Sequence, residues 1–385
     1  MSMEDDDRLP PSPLSGDLGN QLRAAREAAG HSLATMAALT HFSKPYLGHV
    51  ETGHRHPTPD IIDRYEQVLG VPIGIPHDPV RTAHEWLCGN QPPAGRPPKT
   101  GRRLGATQLR RLEARVIELR HRDDVVGSRE LLPVVRAELD AVCRLAAEAV
   151  YTDRLGIRLH VVIAELAQLV GWIASDAGHY RHAEQVYLTG AAAADTAGDR
   201  VLGGQLLSSL AYQITNIGIR EDGLLIAKTA VAGAAGATPI VRALLLERLA
   251  WAAARCHDPD TCRRALEAVD DAYDQRSPGI SEPEWVYWLN RAEIDVMTAR
   301  CHIQLGQPAV AEPLLTRALA GYNPDHVREV GLYQTWLAEG YVRTGNHDAA
   351  RQVLDHIDTS AVDAGSVRLQ RRIDAVTRLT TTGNH

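Results

Sequence analysis

Residues 32–53 read SLATMAALTHFSKPYLGHVETG, and this stretch decides the fold of the first part of the chain. Ser32 and Ser43 each stand directly before residues suited to a helix, where a serine hydroxyl accepts a hydrogen bond from a free backbone N–H. Pro45 falls in a first helical turn, where its missing N–H costs nothing. Gly53 provides a stop signal. The stretch therefore predicts two short helices joined by a tight turn at residues 40–42.

The flanking residues predict one further helix on each side. Upstream, Asp17 is a suitable N-cap and Gly30 a suitable end. Downstream, the segment Pro57–Pro59 opens a helix that Gly70 closes. The apolar residues at helical spacing are Leu22, Ala25, Leu33, Met36, Ala37, Leu47, Val50, Ile61, Ile62, Tyr65 and Leu69. Four short helices within about 55 residues, with a tight turn between the second and the third, form the helix-turn-helix arrangement.

The same segment carries a dense, ordered pattern of residues. Residues 22–30 read L-R-x-x-R-E-x-x-G, residues 32–37 read S-L-x-x-x-A, and residues 43–53 read S-x-x-Y-L-x-x-V-E-x-G. In this pattern, residues 18–71 resemble the lambda-repressor-like (XRE) helix-turn-helix family. The resemblance implies a helical bundle that binds double-stranded DNA, usually as a dimer on an operator.

The resemblance also implies which residues meet DNA. In this family the third helix enters the major groove, and its N-terminal residues contact base edges. Lys44 is then placed to reach a guanine, and the N-terminus of the second helix to hold a phosphate. The residues implied in DNA binding are Ser32, Leu33, Ser43, Lys44, Pro45, Tyr46, His49, His54 and Arg55, with His56 as a further phosphate contact. Arg26 and Glu51 match a structural ion pair of the family.

The charge of the chain does not by itself indicate nucleic-acid binding. The 385 residues carry a net charge of −7, and residues 17–71 hold five basic against six acidic side chains. Residues 81–115, in contrast, hold eight basic side chains against two acidic ones. The positive charge thus lies mostly after the first domain, and the motif rather than the composition points to DNA.

Motif and composition together divide the chain into four predicted segments. They are a disordered tail (1–16), a helix-turn-helix domain (17–71), a linker rich in Pro, Gly and Arg (72–106) and a helical repeat domain (107–380). One short helix is predicted within the linker at residues 80–88, with Trp86 and Leu87 docking on one domain, and the rest is expected to be flexible. Its basic residues either follow DNA phosphates or belong to a solvated spacer. They are Arg96, Lys99, Arg102 and Arg103.

The second part of the chain contains a repeat of helix pairs. Turn positions recur at intervals of 40, 39, 49 and 39 residues, at Gly178, Gly218, His257, Gly306 and Gly345. A small residue stands seven places before and five places after each turn, which lets two antiparallel helices approach closely. This pattern resembles the tetratricopeptide repeat (TPR). It predicts five helix pairs over residues 159–362, a preceding pair at 107–151 and a capping helix at 366–380.

The predicted fold class is all-α, with a helix-turn-helix bundle followed by a TPR-like α-solenoid. The first helices of the pairs build the concave face of such a solenoid. The residues predicted on this face are Gln168, Trp172, Gln205, Tyr212, Asn216, Glu247, Trp251, Arg255, Arg300, Gln304 and Arg343. Aromatic, Arg and Asn side chains together suit a peptide or a small polar ligand. Alternatively, the rings pack between repeats.

The sequence offers little support for catalysis. No motif of a common catalytic site occurs, so we expect a protein that is not an enzyme. The five cysteines are scattered without the spacing of a zinc site, and neither a metal nor a cofactor is expected. Acidic pairs such as Asp123–Asp124 are expected at the solvated surface.

Two functions remain open. The first is a homodimeric, ligand-responsive regulator of transcription, because the two-domain order resembles bacterial quorum-sensing and developmental regulators in which a ligand shifts the dimer on DNA. The second is an interaction scaffold whose TPR-like surface recruits a partner protein and whose DNA-binding domain is vestigial. The N-terminal residues lack the apolar segment of a signal peptide, and no run of 18 apolar residues occurs. A cytoplasmic location without membrane contact is therefore expected.

Overall fold

The computed structural model describes residues 13–55, 57–69, 78–89, 101–323 and 325–382. Over these residues the chain is all-α, and its only β pairing is an isolated bridge between Arg103 and Val150. The chain divides into two compact units, residues 1–78 and residues 79–385, which are described separately. The prediction of a helix-turn-helix region followed by an array of paired helices is confirmed.

The first unit contains four helices in the described residues. They are α1 (Pro13–Ala28), α2 (Leu33–Thr40), α3 (Lys44–Glu51) and α4 (Pro59–Leu69). The prediction that α1 begins after an Asp17 cap is wrong, because the helix already starts at Pro13, a proline suited to a first helical turn, and Asp17 lies inside the helix. Gly70, predicted to close α4, lies outside the described residues, as does His56.

A small apolar core holds these four helices together. Its fully or almost fully buried side chains are Leu22, Met36, Leu47, Val50, Ile61 and Tyr65. At Gly19, α1 comes so close to α3 that an added Cβ would lie 2.5 Å from the carbonyl oxygen of Val50. Since real Cβ atoms do not approach an oxygen so closely, the glycine sets the distance between the two helices.

The second unit is an array of fifteen α-helices within the described residues. They are α5 (Pro79–Leu87), α6 (Ala106–Asp123), α7 (Ser128–Glu148), α8 (Asp153–Asp176), α9 (Tyr180–Thr196), α10 (Arg200–Ile217), α11 (Arg220–Gly233), α12 (Pro239–Arg255), α13 (Pro259–Asp274), α14 (Arg291–Gln304), α15 (Pro308–Ala320), α16 (Val327–Arg343), α17 (His347–Asp355), α18 (Ser360–Asp363) and α19 (Val367–Thr382). A short 3-10 helix, Glu284–Val286, precedes α14. Five successive pairs run from α8/α9 to α16/α17, and each even-numbered helix of these pairs also contacts the next one.

Small residues allow the paired helices to approach. At Gly171 on α8, an added Cβ would lie 2.5 Å from the ring of Tyr187 on α9, so the absence of a side chain makes room for the ring.

Four of the five turns within the helix pairs have a residue at positive φ. Three of these residues are the glycines Gly178, Gly306 and Gly345, for which this conformation has no steric penalty, and the fourth is His257 at φ 56°. The turn of the pair α10/α11 differs, because Gly218 there has a negative φ of −117°.

Helix α5 packs within the second unit, against α9 and α11. The Trp86 ring is fully buried, and the Arg200 guanidinium lies 4.0 Å from its centroid. Arg200 also donates a hydrogen bond of 2.6 Å to the carbonyl oxygen of Trp86. These contacts hold α5 in a fixed position within the second unit.

The end of the predicted linker is also held in place. The N–H of Leu104 donates to the carbonyl oxygen of Val150 at 3.0 Å, and the N–H of Val150 donates to that of Arg102 at 3.0 Å. The prediction that these last linker residues are flexible is therefore wrong, because a backbone bridge ties them to the end of α7. Arg96 and Lys99 lie outside the described residues.

Helix α8 is long and apolar enough to cross a membrane, by length and composition, and is alone in this among the described helices. Most of its apolar window, 61%, is buried inside the protein. A central helix of a large core has the same properties, and α8 contacts α6, α7, α9 and α10. Its apolar character is thus accounted for by packing.

Candidate functional site

The two serine caps that the sequence predicts fix the starts of α2 and α3. Ser32 Oγ accepts a hydrogen bond from the Thr35 N–H at 3.0 Å, and Ser43 Oγ accepts one from the Tyr46 N–H at 3.4 Å. Between the helices, His41 adopts φ 61°, a left-handed conformation that turns the chain sharply. The second and third helices of the motif are therefore set at a fixed angle by local interactions.

A buried ion pair fixes α3 against α1. Arg26 Nε and Nη2 donate to the two carboxylate oxygens of Glu51, each at 2.7 Å. Tyr65 on α4 donates its hydroxyl to Glu51 Oε1 at 2.8 Å, and burial together with this hydrogen bond raises the pKa of Tyr65. Arg26 also donates to the carbonyl oxygen of His31 at 2.8 Å. Three helices thus meet at one carboxylate, and Arg26 also binds the turn before α2.

Part of the α3 surface is open to solvent. Pro45 and His49 are exposed on the side away from the ion pair, and Lys44 is exposed in the first turn, about two turns before Glu51. Ser32, Ser43, His54 and Arg55 are exposed beside this surface. Leu33 and Tyr46 are half-buried and pack on the apolar core. The residues predicted to contact DNA thus lie on or next to α2 and α3. Seven of them are exposed, and two, Leu33 and Tyr46, are half-buried.

The charge of this face is basic. The Arg55 guanidinium lies 5.1 Å from the Tyr46 ring centroid, which holds it beside the C-terminal end of α3. The rings of His49 and His54 are 6.2 Å apart, and His54 Nδ1 lies 2.8 Å from the hydroxyl of Thr52. Lys44 is exposed at the N-terminal end. Cationic and imidazole donors along both ends of a short exposed helix match the acceptor edges and phosphates of a DNA major groove.

Residues 17–74 match the family model of a helix-turn-helix domain. The first unit carries a DNA-binding motif. No curated protein matches the chain. The match and the exposed α3 face together support a DNA-binding regulator.

The second unit contains a cavity of about 850 Å³. It is lined by one face of each of α8, α10, α12, α14, α16 and α19, together with residues 285–290 and the end of α6. Eight residues predicted for the concave face line it. They are Gln168, Trp172, Gln205, Tyr212, Asn216, Trp251, Arg255 and Arg300.

The other three predicted residues do not line the cavity. Glu247 is buried on α12 without a hydrogen-bond partner in the described part of the chain, and burial raises its pKa. Gln304 accepts a hydrogen bond from Arg255 at 3.1 Å. Arg343 forms an ion pair of 2.7 Å with Glu339. Gln304 and Arg343 thus hold neighbouring side chains, and Glu247 is enclosed within the protein.

The aromatic residues connect successive helix pairs as well as lining the cavity. The rings of Trp172 and Tyr212 stack with centroids 5.9 Å apart, and those of Trp251 and Trp336 meet edge to face at 5.4 Å. The indole N–H of Trp251 donates to Asn216 at 3.1 Å. Packing between repeats and exposure to the cavity are therefore both features of these rings.

Several cavity residues are not apparent from the repeat pattern. Arg368, Arg371 and Arg372 come from α19, which the sequence indicates only as a cap, and Trp288 comes from the insert before α14. Arg248 lies one turn before Trp251 on the same face of α12, and this spacing is the signal that sequence reasoning overlooked. Only the tertiary fold brings the other residues to the cavity.

Asp123 is likewise not where it was expected. Its carboxylate is buried and forms an ion pair of 3.2 Å with Arg328, so the prediction of a solvated surface position is wrong. The end of α6 thus contacts α16, which is distant from it in the sequence.

Among the described residues, no group of three His, Cys, Asp or Glu side chains is placed to hold a metal ion.

Tyr212 occupies an unusual electrostatic position in this cavity. Burial raises the pKa of its hydroxyl. The guanidinium groups of Arg300, Arg368 and Arg248 lower this pKa by more than burial raises it, so that the result is about 7. Arg300 donates a hydrogen bond of 2.9 Å to the hydroxyl oxygen. The three guanidinium groups thus stabilise the phenolate by more than its burial destabilises it.

The Glu51→Gln substitution tests the ion pair. It leaves the buried Arg26 charge without its anion, and we expect the first unit to lose about 3–5 kcal/mol of stability. Amide hydrogen exchange of the full chain, read by mass spectrometry, would then accelerate over residues 18–69 and stay unchanged over residues 106–320. The matched control is Glu27→Gln, which breaks the exposed pair of 2.8 Å with Arg23 and a longer contact of 3.4 Å with Arg26. It should have little effect, because Arg26 keeps its buried partner Glu51. Equal effects of the two substitutions would contradict a structural role for the buried pair.

The low pKa of Tyr212 predicts a phenolate that forms near neutral pH. Tyrosinate absorbance at 295 nm should show one of the eleven tyrosines titrating with a midpoint near pH 7, three units below a free phenol. Tyr212→Phe should remove this step. Tyr151→Phe is the control, because burial raises the pKa of Tyr151. A native protein without a tyrosinate step below pH 9 would contradict the arrangement of the arginines.

Proposed function

We propose that this protein is a sequence-specific, DNA-binding regulator of transcription that acts as a homodimer in the cytoplasm. Its first unit reads DNA, and its second unit, a TPR-like array, senses a peptide, a small ligand or a partner protein. The observation that carries the proposal is the exposed α3 face, held by the buried Arg26–Glu51 pair, within residues that match a helix-turn-helix domain.

The reading of bases is assigned to the first turn and a half of α3. Lys44 carries three N–H donors that suit guanine O6 and N7, and His49 lies five residues further along the same short helix. Pro45 between them offers only an apolar contact, such as one to a thymine methyl group. Ser32 and the free N–H groups at the start of α2 are assigned to a phosphate.

Dimerisation is proposed because one such helix contacts few base pairs. A half-site read by a single helix gives modest specificity, and two half-sites one helical turn apart multiply it. Membership of the XRE family and the dimer follow from the resemblance of residues 22–53. A ligand held in the second unit would then change the spacing or the affinity of the two reading helices.

The scaffold alternative is less well supported. A vestigial DNA-binding domain has no reason to keep two intact serine caps, a bidentate buried ion pair and exposed donors at both ends of one helix. Catalysis is not proposed, since the perturbed groups that line the cavity, such as Asp123, Tyr212 and Glu293, are held in ion pairs and hydrogen bonds without the geometry of a nucleophile and a base.

A gel-shift experiment on the promoter region of the protein's own gene tests this function. We expect a specific complex that competitor DNA of random sequence does not remove. The double variant Lys44→Ala, His49→Ala should weaken it by roughly 30-fold or more, since a base contact is worth about 1–3 kcal/mol. Footprinting should show two protected half-sites about 10 base pairs apart.

The control is Lys228→Ala, which removes an exposed lysine of the second unit and should leave the shift unchanged. Circular dichroism of each variant checks that the helices remain intact. Specific binding that survives in the double variant would refute the assignment of α3. Failure of the wild-type protein to distinguish this DNA from random DNA would favour the scaffold.

A further inference from the structure

Eight arginines line the cavity of the second unit, and they fall into two groups. Those of the first group have carboxylate partners within 4 Å; they are Arg120, Arg328, Arg368 and Arg372. Those of the second group have no carboxylate partner among the described residues; they are Arg248, Arg255, Arg300 and Arg371. Half of the arginines in the lining thus have no carboxylate within ion-pair distance among the described residues.

Arg248 is the clearest member of the second group. Its side chain is only 6% exposed, and no described residue accepts a hydrogen bond from its guanidinium. The group lies 4.1 Å from the Tyr212 ring centroid and 5.3 Å from that of Trp172. A buried guanidinium needs a hydrogen-bonded anion, because aromatic faces satisfy its charge only in part.

Arg300 lies on the neighbouring helix and shares the Tyr212 ring with Arg248. It is 8% exposed, and its one hydrogen bond goes to the Tyr212 hydroxyl. Its Nε is buried without a partner in the part of the chain that the structure describes. Two adjacent arginines, from α12 and α14, therefore present unused donors to the same space.

The acidic residues of the lining do not meet this need. Asp123 and Glu329 both pair with Arg328, at 3.2 and 2.8 Å. Glu293 accepts hydrogen bonds of 2.6 Å from Tyr322 and from Tyr333. The remaining one, Asp124, accepts a hydrogen bond from the Tyr287 hydroxyl. Each acid of the lining is occupied away from Arg248 and Arg300.

The rest of the cavity wall is strongly aromatic. Five of the six tryptophans of the chain line it. They are Trp172, Trp251, Trp285, Trp288 and Trp336. The volume of about 850 Å³ lies in the range of sites for small organic molecules. Such walls bind an apolar, flat body, while the two arginines bind a negative group.

We propose that this cavity binds a small organic anion, an aromatic carboxylate, sulfonate or phosphate whose acidic group lies between Arg248 and Arg300. This inference rests on the proposed function in one respect, since it names the class of ligand that the second unit senses. A cationic or neutral ligand would leave Arg248 with the Tyr212 phenolate alone, which it meets through the ring and shares with Arg300. The anion would replace the Tyr212 phenolate as the partner of the two guanidinium groups.

Two dyes that differ in one acidic group test the proposal. The probe is 8-anilino-1-naphthalenesulfonate, and the matched neutral compound is N-phenyl-1-naphthylamine, which has the same rings without the sulfonate. Fluorescence titration of the full chain should show at least about tenfold tighter binding of the sulfonate. Excitation of tryptophan should produce dye emission by energy transfer, because five of the six tryptophans surround the site.

Substitutions locate the acidic group. Arg248→Met keeps the length of the side chain without its charge and should weaken sulfonate binding by about tenfold or more, while binding of the neutral dye stays the same. Arg248→Lys should retain part of the affinity for the sulfonate. Arg263→Met, at an exposed position of α13 outside the cavity, is the control. An unchanged thermal transition in each variant shows that the dye is not binding to loosened protein.

The outcomes separate this proposal from the DNA-binding one. Equal affinity for both dyes, or sulfonate binding that Arg248→Met leaves unchanged, would overturn the anion site, whatever the gel shift shows. The variant Lys44→Ala, His49→Ala should bind the sulfonate as the wild-type protein does. Loss of the gel shift with intact sulfonate binding would refute only the reading helix.

Discussion

The helix-turn-helix unit depends on the interactions of one buried carboxylate, that of Glu51. It receives two hydrogen bonds from Arg26 on α1 and one from Tyr65 on α4, while it belongs to α3 itself. A helix of eight residues is too short to be stable alone, so its position comes from such contacts. Because Arg26 and Tyr65 hold Glu51 at the inner side of α3, Pro45 and His49 remain on the side that faces solvent, and Lys44 is exposed in the first turn.

The second unit uses charge in a different way. Its helix pairs approach closely at small residues such as Gly171, and the first helix of each pair turns one face toward a common cavity. Here the arginines outnumber the carboxylates that neutralise them. Arg248 and Arg300 share the Tyr212 ring, and the Tyr212 hydroxyl accepts a hydrogen bond from Arg300. In the first unit the buried Arg26 is matched by Glu51, whereas in the second unit Arg248 and Arg300 are left for a ligand to match.

Local signals in the sequence were enough for the helices and the turns. The Ser32 and Ser43 caps, the pairing of Arg26 with Glu51 and the left-handed turn at His257 depend on residues whose roles follow from spacing or family pattern. The DNA contacts themselves stay predictions. What depends on distant contacts was not predictable, as with the burial of Asp123 under α16 and the three arginines that α19 brings to the cavity. The start of α1 at Pro13 was not predicted, because Asp17 is itself a residue type suited to an N-cap.

The most direct test of base reading by α3 is a change of sequence preference. Binding-site selection from random DNA, carried out with the wild-type protein and with Lys44→Gln, compares the preferred base at each position. A lysine prefers guanine and a glutamine prefers adenine, so one position in each half-site should change from guanine to adenine while the others persist. An unchanged preferred sequence, with binding only weaker overall, would show that Lys44 contacts phosphate and that α3 does not read bases as described.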